Sequence, residues 1–176
     1  MTRLHLALLG DSGAGKTIFC HLLNSGKFSK VVSASIGTEF HTFQVGNTEF
    51  CIYDIACNKA YTKYMSPYLK RADAVLIFHD ATKEEQDVNW LGLLRQHNTT
   101  AKVFHVRVKI ECSTKISSRP LQPGVLLGDL ALSQQPDLTE LFHEILRHFK
   151  KPKQTFLQRI GFRGLNSGGV LLQRES

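Results

Sequence analysis

Residues 10–17 read Gly10-Asp11-Ser12-Gly13-Ala14-Gly15-Lys16-Thr17 and match the phosphate-binding pattern G-x-x-x-x-G-K-[ST] at every fixed position. A short apolar run, Leu4 with residues 6–9, precedes the loop and suits a buried parallel strand, and residues 16–25 can open a helix after it. The glycines let consecutive N–H groups and the helix N-terminus point at a polyphosphate. Lys16 adds a positive charge at the β- and γ-phosphates, and the Thr17 hydroxyl is a ligand for Mg²⁺. The stretch therefore predicts a P-loop.

Strand and helix patterns alternate along the rest of the chain. Strands are predicted at residues 39–45, 49–53, 74–78, 103–108 and 124–127, the first two joined as a hairpin by the Gly46-Asn47 turn. Helices are predicted at 83–96 and behind Asp137, whereas Pro67 limits residues 58–72 to a loop and a short or broken helix. This order predicts an α/β P-loop NTPase fold with a doubly wound, mostly parallel six-stranded sheet and one antiparallel edge strand.

Composition and charge predict one nucleotide-binding domain over residues 1–150 and a basic, partly disordered extension over 151–176. No signal peptide or membrane span is visible, and the four cysteines lack C-x-x-C spacing, so we expect a cytoplasmic protein with reduced thiols. The eight histidines are scattered, which predicts no metal site built from protein ligands alone. The net charge of +7 is concentrated near the end, where it favours weak contact with an anionic membrane or an acidic protein, or a merely solvated tail; no nucleic-acid partner is expected.

Several motifs resemble the small GTPases of the Ras superfamily, and most of all the Rab branch, over roughly residues 4–150. They are the loop GDSGAGKT, the segment Ser35-Ile36-Gly37-Thr38-Glu39-Phe40, and the run from Pro67 to Ala74 that leads to Asp80-Ala81-Thr82. The resemblance implies GTP or GDP and Mg²⁺ as cofactors, and effector or regulator proteins that bind through residues 35–40 and 57–68. It also implies a switch whose two loops are ordered by Mg²⁺ and the γ-phosphate and released by hydrolysis.

The resemblance assigns roles to individual residues. Ser35 matches the first-switch residue that ligates Mg²⁺, Asp54 matches the aspartate that holds Mg²⁺ through water, and Phe28 matches an aromatic ring against the guanine. With Thr17, these give a predicted metal set of Thr17, Ser35 and Asp54. The residues expected to contact nucleotide are Asp11, Ser12, Gly13, Ala14, Gly15, Lys16, Thr17, Ile18, Phe28, Ser35, Lys109 and Glu111.

The chain departs from the family at the second switch, where family members read D-T-A-G-Q and this chain reads Asp54-Ile55-Ala56-Cys57-Asn58. Cys57 replaces a glycine whose N–H meets the γ-phosphate, and its side chain restricts the backbone there. Asn58, the candidate catalytic residue, is one methylene shorter than the water-positioning glutamine, and a misplacement of about 1 Å can cost on the order of a hundredfold in rate. We expect hydrolysis to be slow or absent.

Base recognition also departs from the family pattern. The N-K-x-D motif aligns with Val108-Lys109-Ile110-Glu111, in which Lys109 can cover the base and Glu111 can accept from guanine, whereas Val108 lacks the amide. The S-A-K loop aligns with Ala131-Leu132-Ser133, and a loop over 112–123 is expected in place of the fourth helix. The preference between guanine and adenine stays open.

Two functions follow from these motifs. The first is a Rab-like GTP-binding switch in intracellular trafficking, cytoplasmic or peripheral to membranes through a partner, and a GTP hydrolase of impaired turnover if it is an enzyme at all. The alternative is a pseudo-GTPase, an interaction module that binds nucleotide statically or not at all. A nucleotide kinase is disfavoured because no arginine-rich lid follows the central strands. The sequence ends Gln173-Arg174-Glu175-Ser176 without a cysteine, so no prenyl anchor is expected there.

Overall fold

The computed structural model describes residues 1–29, 36–57, 62–83, 86, 88–112 and 123–149. The strands in this part of the chain are β1 (Thr2–Gly10), β2 (Thr38–Val45), β3 (Thr48–Ile55), β4 (Ala74–Asp80), β5 (Lys102–Val108) and β6 (Val125–Leu130). The α-helices are α1 (Lys16–Ser25), α2 (Ser66–Arg71), α3 (Trp90–His97) and α4 (Thr139–Arg147). Short 3₁₀ turns cover Thr62–Tyr64, Ile110–Cys112 and Leu132–Gln134.

The six strands form one sheet in the order β2-β3-β1-β4-β5-β6. β1 pairs in parallel with β3 and β4, and the parallel ladder continues through β5 to β6. β2 is the exception, since it pairs antiparallel with β3 across the Gly46-Asn47 turn. The predicted fold, a mostly parallel six-stranded sheet with one antiparallel edge strand, is confirmed.

Helices cover both faces of the sheet, and each face has its own apolar core. On one face, α1 and α4 bury Phe19, Cys20 and Phe142 against β1, β3, β4 and β5. On the other face, α2 and α3 bury Leu69 and Trp90. Strands covered on both sides need apolar residues at successive positions, which is why residues 74–78 and 6–9 contain no polar side chain. The loops at the carboxyl ends of the strands are then free to build a site.

The helix predicted over residues 83–96 is wrong at its start, because α3 begins at Trp90. The Asn89 side chain accepts a hydrogen bond from the Gly92 N–H at 2.9 Å and so caps the helix one residue before it starts. Upstream, Asp80 accepts from the N–H and the hydroxyl of Thr82, which favours a turn over a helix. The predicted helix began too early because the apolar pattern of α3 continues upstream of the cap, to Val88.

Other boundaries differ less from the prediction. β6 runs three residues beyond the predicted Leu127, across an irregularity in its pairing with β5 between His105 and Val106. Pro67 lies in the first turn of the short helix α2, where a missing N–H is tolerated. The predicted extension 151–176 and most of the loop 112–123 lie outside the described residues. Within the described residues, no helix is both long and apolar enough to cross a membrane.

Candidate nucleotide-binding site

Glycine backbone conformations shape the loop between β1 and α1. Gly10 has φ 139°, and a Cβ built on it would lie 2.7 Å from the carbonyl oxygen of Phe78 in the neighbouring strand β4. Gly15 has φ 90° and is the N-cap of α1, where it makes no side-chain hydrogen bond to the first N–H groups of the helix, a position at which helices can receive an anion. Ser12 and Gly13 are exposed at the tip, whereas Ala14 is buried beneath it. The predicted phosphate cradle therefore has the backbone it requires.

Lys16 reaches back over this loop from the first turn of α1. Its ammonium is buried and donates to the carbonyl oxygens of Gly10 at 2.8 Å and Asp11 at 3.0 Å. These two acceptors hold the ammonium at the loop without neutralising its charge, because both are uncharged carbonyls. A polyphosphate on the loop would meet a desolvated positive charge there.

Thr17 and Asp54 meet between α1 and β3. The Thr17 hydroxyl donates to Asp54 Oδ2 at 2.6 Å, and Asp54 is fully buried at the end of β3. Burial raises the pKa of Asp54, while the Thr17 hydrogen bond and the Lys16 charge act in the opposite direction. Its second oxygen, Oδ1, is buried and has no hydrogen-bond partner among the described residues. A hydroxyl beside a carboxylate with one oxygen left over fits a hard cation such as Mg²⁺.

Trp90 anchors the loop from the opposite face of the sheet, a role that sequence reasoning missed. Its indole N–H donates to Asp11 Oδ1 at 2.8 Å, and both residues are buried. The two residues are far apart in sequence, and Trp90 belongs to an apolar helical pattern. The one sequence feature that sets Trp90 apart is that it directly follows the residue that caps α3. The contact ties the second residue of the phosphate loop to the N-terminus of α3.

Val108 and Leu132 support the loop from the base-recognition side. A Cβ on Gly15 would lie 3.3 Å from Leu132 Cδ1 and 4.0 Å from Val108 Cγ2, and both side chains are buried. Val108 stands where the family motif has asparagine, so an apolar contact takes the place of an amide at this position. Support for the loop persists, while the amide that the motif would supply is missing.

The two predicted base readers are engaged with other side chains. Lys109, at φ 60°, donates to Asp80 Oδ2 at 2.6 Å, and Glu111 accepts from the Ser133 hydroxyl at 2.7 Å. Burial would raise the pKa of Asp80, but its hydrogen bonds from Lys109 and Thr82 outweigh this effect and leave the pKa lowered. The Glu111–Ser133 contact joins the segment aligned with N-K-x-D to the segment aligned with S-A-K. Their contact with a base stays a prediction.

Cys57 lies beneath the phosphate loop. Its side chain is buried, and Sγ is 3.9 Å from the carbonyl oxygen of Leu8. Burial raises the pKa of the Cys57 thiol to about 11, with the Lys16 charge opposing. The thiol is therefore protonated at neutral pH and is a poor nucleophile, in line with its interpretation as a replacement for glycine.

The remaining predicted residues are less informative. Ile18 and Phe28 are partly buried and pack against the core on the α1 side of the sheet, so a contact between Phe28 and a base stays a prediction. Ser35 and Asn58 lie outside the described residues, and their predicted roles in binding Mg²⁺ and in hydrolysis are untested.

The fold and the loop together define a class, the P-loop GTPase-like α/β proteins of the Ras superfamily. A family model described as "Ras of Complex, Roc, domain of DAPkinase" matches residues 5–111, and the chain belongs to this family. Membership implies binding of a guanine nucleotide, typically with Mg²⁺, and the buried unpaired oxygen of Asp54 beside Thr17 agrees with this.

Distant Rab relatives support the same class. The chain is 34% identical to human Ras-related protein Rab-44 over 107 residues, which are 57% of this chain and 10% of the relative. It is 32% identical to dog Rab-22A over 104 residues (55% of this chain, 54% of the relative) and 35% identical to Nicotiana tabacum Rab11A over 99 residues (52% and 46%). The chain thus spans a tenth of Rab-44 and about half of the other two.

Proposed function

We propose that this chain is a Rab-like guanine nucleotide-dependent switch in intracellular vesicle or protein trafficking, cytoplasmic or held at membranes through a partner, with slow or absent hydrolysis. The observation that carries the proposal is the convergence of Lys16 and the Thr17–Asp54 pair on one glycine loop. All three lie on α1 and β3 beside the loop that follows β1, and Lys16 donates there to the uncharged carbonyl oxygens of Gly10 and Asp11. They are ready to bind a phosphate chain and its cation.

The proposed binding mode assigns each group one task. The N–H groups of residues 13–17 bind phosphate oxygens, and Lys16 Nζ turns from its two carbonyl acceptors toward the β- and γ-phosphates. Thr17 Oγ1 and, through water, Asp54 hold Mg²⁺, which supplies neutralising charge between the phosphates when bound. Ser35, as the first-switch residue, reports the γ-phosphate.

Slow turnover follows from two positions of the second switch. Cys57 brings a buried side chain to a position where the family has glycine, which limits the swing of the backbone toward a γ-phosphate. Asn58 carries the amide one methylene short of the position that orients water. The GTP-bound state would then persist longer than in a relative with the full D-x-x-G-Q motif.

Exposed apolar side chains at the two switches support binding of an effector. Ile36 is 81% exposed, Phe40 64% and Tyr64 60%, an unusual set of large apolar groups in water. The Phe40 ring lies 5.7 Å from the ring of Tyr68 on α2, so the first-switch strand and the second-switch helix form one continuous surface. A partner that reads both switches at once would bury these rings.

The alternative function, a pseudo-GTPase, is favoured by the base-recognition side. Lys109 and Glu111 are both bound by other side chains, and Val108 offers no amide. A static module would therefore bind any nucleoside triphosphate weakly through its phosphates, or none.

Nucleotide content and affinity separate the two functions. Purified protein should release GDP or GTP on denaturation, and titration with labelled GDP, GTP and ATP should show Mg²⁺-dependent binding that favours guanine. Thr17→Ala should weaken Mg²⁺-dependent binding, whereas Thr99→Ala, an exposed threonine in the turn before β5, should not. Empty protein with no response to any nucleotide would overturn the proposal, and equal affinity for ATP and GTP would favour the alternative.

Single-turnover hydrolysis tests the account of the second switch. The native chain should hydrolyse bound GTP slowly or not at all, and Asn58→Gln combined with Cys57→Gly should be faster than either single variant. If the double variant is no faster than the native chain, slow turnover does not come from these two positions.

A further inference from the structure

Three potential metal ligands meet where α1 packs on the β2–β3 hairpin. One ligand atom from each of Cys20 on α1, His41 on β2 and Asp54 on β3 lies within 4.8 Å of the other two. Cys20 and Asp54 are fully buried, and His41 is half-buried at the sheet edge. The sequence gives no pattern for this group, because each of its three residues comes from a different element of the chain.

Two atoms of this Cys-His-Asp cluster are buried without a hydrogen bond. Asp54 Oδ1 and His41 Nε2 have no hydrogen-bond partner among the described residues. A buried polar atom that makes no hydrogen bond destabilises the fold, so each such atom requires an explanation. The carboxylate of Glu39 lies near His41 Nε2, but its Oε2 is 3.9 Å away and too distant for a hydrogen bond. A shared ligand would satisfy both atoms.

The chemistry of the donors selects the ligand. A thiolate, an imidazole and a carboxylate together suit Zn²⁺, whereas Mg²⁺ takes oxygen ligands and rarely a thiolate. Zinc bonds of about 2.0–2.3 Å place tetrahedral ligand atoms roughly 3.3–3.8 Å apart. Pairs of atoms within 4.8 Å of one another therefore need to approach by about 1.5 Å or less. We propose that Cys20, His41 and Asp54 form a Zn²⁺-binding site.

Neighbouring residues complete the proposed site. Glu39 lies directly opposite Asp54 in the β2–β3 register and two residues before His41, on the same face, so its carboxylate or a water is the fourth ligand. Asn24, one turn after Cys20 on α1, is 2.9 Å from His41 Nδ1. In this geometry the Asn24 amide nitrogen donates to Nδ1; when Nε2 binds the metal, Nδ1 carries the proton, so the Asn24 amide must turn over to present its oxygen as the acceptor.

Binding of Zn²⁺ would release one proton, from the Cys20 thiol. Burial, followed by the charges of Asp54 and Glu39, raises the pKa of Cys20 well above its ordinary value, so the metal-free thiol is protonated. Zn²⁺ replaces that proton, which leaves to solvent as the Zn–S bond forms. The proposed Zn²⁺ site needs no nucleotide, but it shares Asp54 with the proposed Mg²⁺ site, so the two cations would compete for this carboxylate.

Cobalt spectroscopy of the nucleotide-free, chelator-treated chain without Mg²⁺ tests the proposal. One equivalent of Co²⁺ should give a thiolate-to-cobalt charge-transfer band and intense visible bands of a tetrahedral site, and Zn²⁺ should displace both. Cys20→Ser should lose the charge-transfer band, while Cys51→Ser, a cysteine of β3 outside the cluster, should keep it. His41→Gln should weaken Zn²⁺ binding at least tenfold, since even outer-shell partners are worth about 10–100-fold.

Each outcome of these measurements either supports or overturns the proposed Zn²⁺ site. Absence of the charge-transfer band in the native chain would overturn the proposal, and so would a band that survives in Cys20→Ser but disappears in Cys112→Ser. Circular dichroism would show whether Cys20→Ser folds. If it does not, Cys20→Ala and the partly exposed His41→Gln carry the test, and unchanged Zn²⁺ affinity in a folded His41→Gln variant would also overturn it.

Discussion

The phosphate end of the proposed site, residues 10–17 with Asp54, differs in construction from the base end, residues 108–111 with 131–133. At the phosphate end, Lys16 is held by uncharged carbonyls, and Asp54 keeps one oxygen without a hydrogen bond among the described residues. At the base end, Lys109 pairs with Asp80 and Glu111 with Ser133. Polar groups satisfied by one another have less to gain from a ligand. We therefore expect phosphate contacts to dominate the affinity for nucleotide and base contacts to supply weak discrimination.

The comparison is tested most strongly at Lys16. Lys16→Ala should lower affinity for GDP and GTP about 10- to 150-fold, because a charged hydrogen bond contributes about 1.5–3 kcal/mol and 1.4 kcal/mol is tenfold. Fluorescent nucleotide titration measures the change, and Lys70→Ala on the exposed face of α2 is the control. If Lys109→Ala weakens GTP binding as much as Lys16→Ala does, the two ends contribute equally and the comparison fails.

The phosphate end should also depend on its anchor to α3. Trp90→Phe removes the 2.8 Å hydrogen bond to Asp11 and should reduce the free energy of unfolding by about 1.5–3 kcal/mol. Urea denaturation followed by circular dichroism measures it. A double-mutant cycle with Asp11→Ala, which removes the acceptor, should reveal coupling between the two residues. Strictly additive single effects would mean that the indole supports the loop by packing alone.

The free energy of unfolding should depend on pH because of a histidine pair on neighbouring strands. His79 Nε2 on β4 lies 2.8 Å from His105 Nδ1 on β5. Burial, followed by the charge of His105, lowers the pKa of His79 to about 4. Between about pH 6.5 and 4 the unfolded chain therefore binds more protons, so stability falls with decreasing pH, by about 1–3 kcal/mol in total.

Denaturation curves at several pH values measure this dependence. His79→Gln should flatten the profile across that window, and His21→Gln on the exposed face of α1 should leave it unchanged. A profile equally steep in His79→Gln would assign the effect to other groups.

The smallest effect is expected at the base end itself. Lys109→Met should lower the free energy of unfolding by about 1 kcal/mol, because the Lys109 side chain is 37% exposed and Asp80, although only 6% exposed, keeps its hydrogen bonds from Thr82. The ratio of GTP to ATP affinity should fall by less than tenfold, as measured by competition titration. A larger loss of selectivity would show that Lys109 reads the base despite its pairing with Asp80.

Local patterns were sufficient to predict the fold, and contacts between distant segments were not. The apolar run 74–78 and the Gly46-Asn47 turn act through neighbours in sequence, so strands β2, β3 and β4 were predicted close to their observed bounds. The start of α3 was missed because the cap made by Asn89 competes with an apolar periodicity that continues upstream of it.

The candidate site divides in the same way. The glycine loop is contiguous, so Lys16 and Thr17 were predicted directly, and the family resemblance supplied Asp54. The hydrogen bond from Trp90 to Asp11 and the proximity of Cys20 to His41 depend on how helices pack on opposite faces of the sheet. No spacing rule in a single sequence encodes such contacts, since the residues involved are separated by whole elements.

The hydrogen bond between Trp90 and Asp11 also gives the protein an optical reporter. Trp90 is the sole tryptophan of the chain, is fully buried, and has its indole N–H on the phosphate loop. Tryptophan emission therefore comes from a single ring whose surroundings include the loop that would close on a ligand. Rearrangement of that loop, by nucleotide or by mutation, can be followed as a change in emission wavelength or intensity without any attached dye.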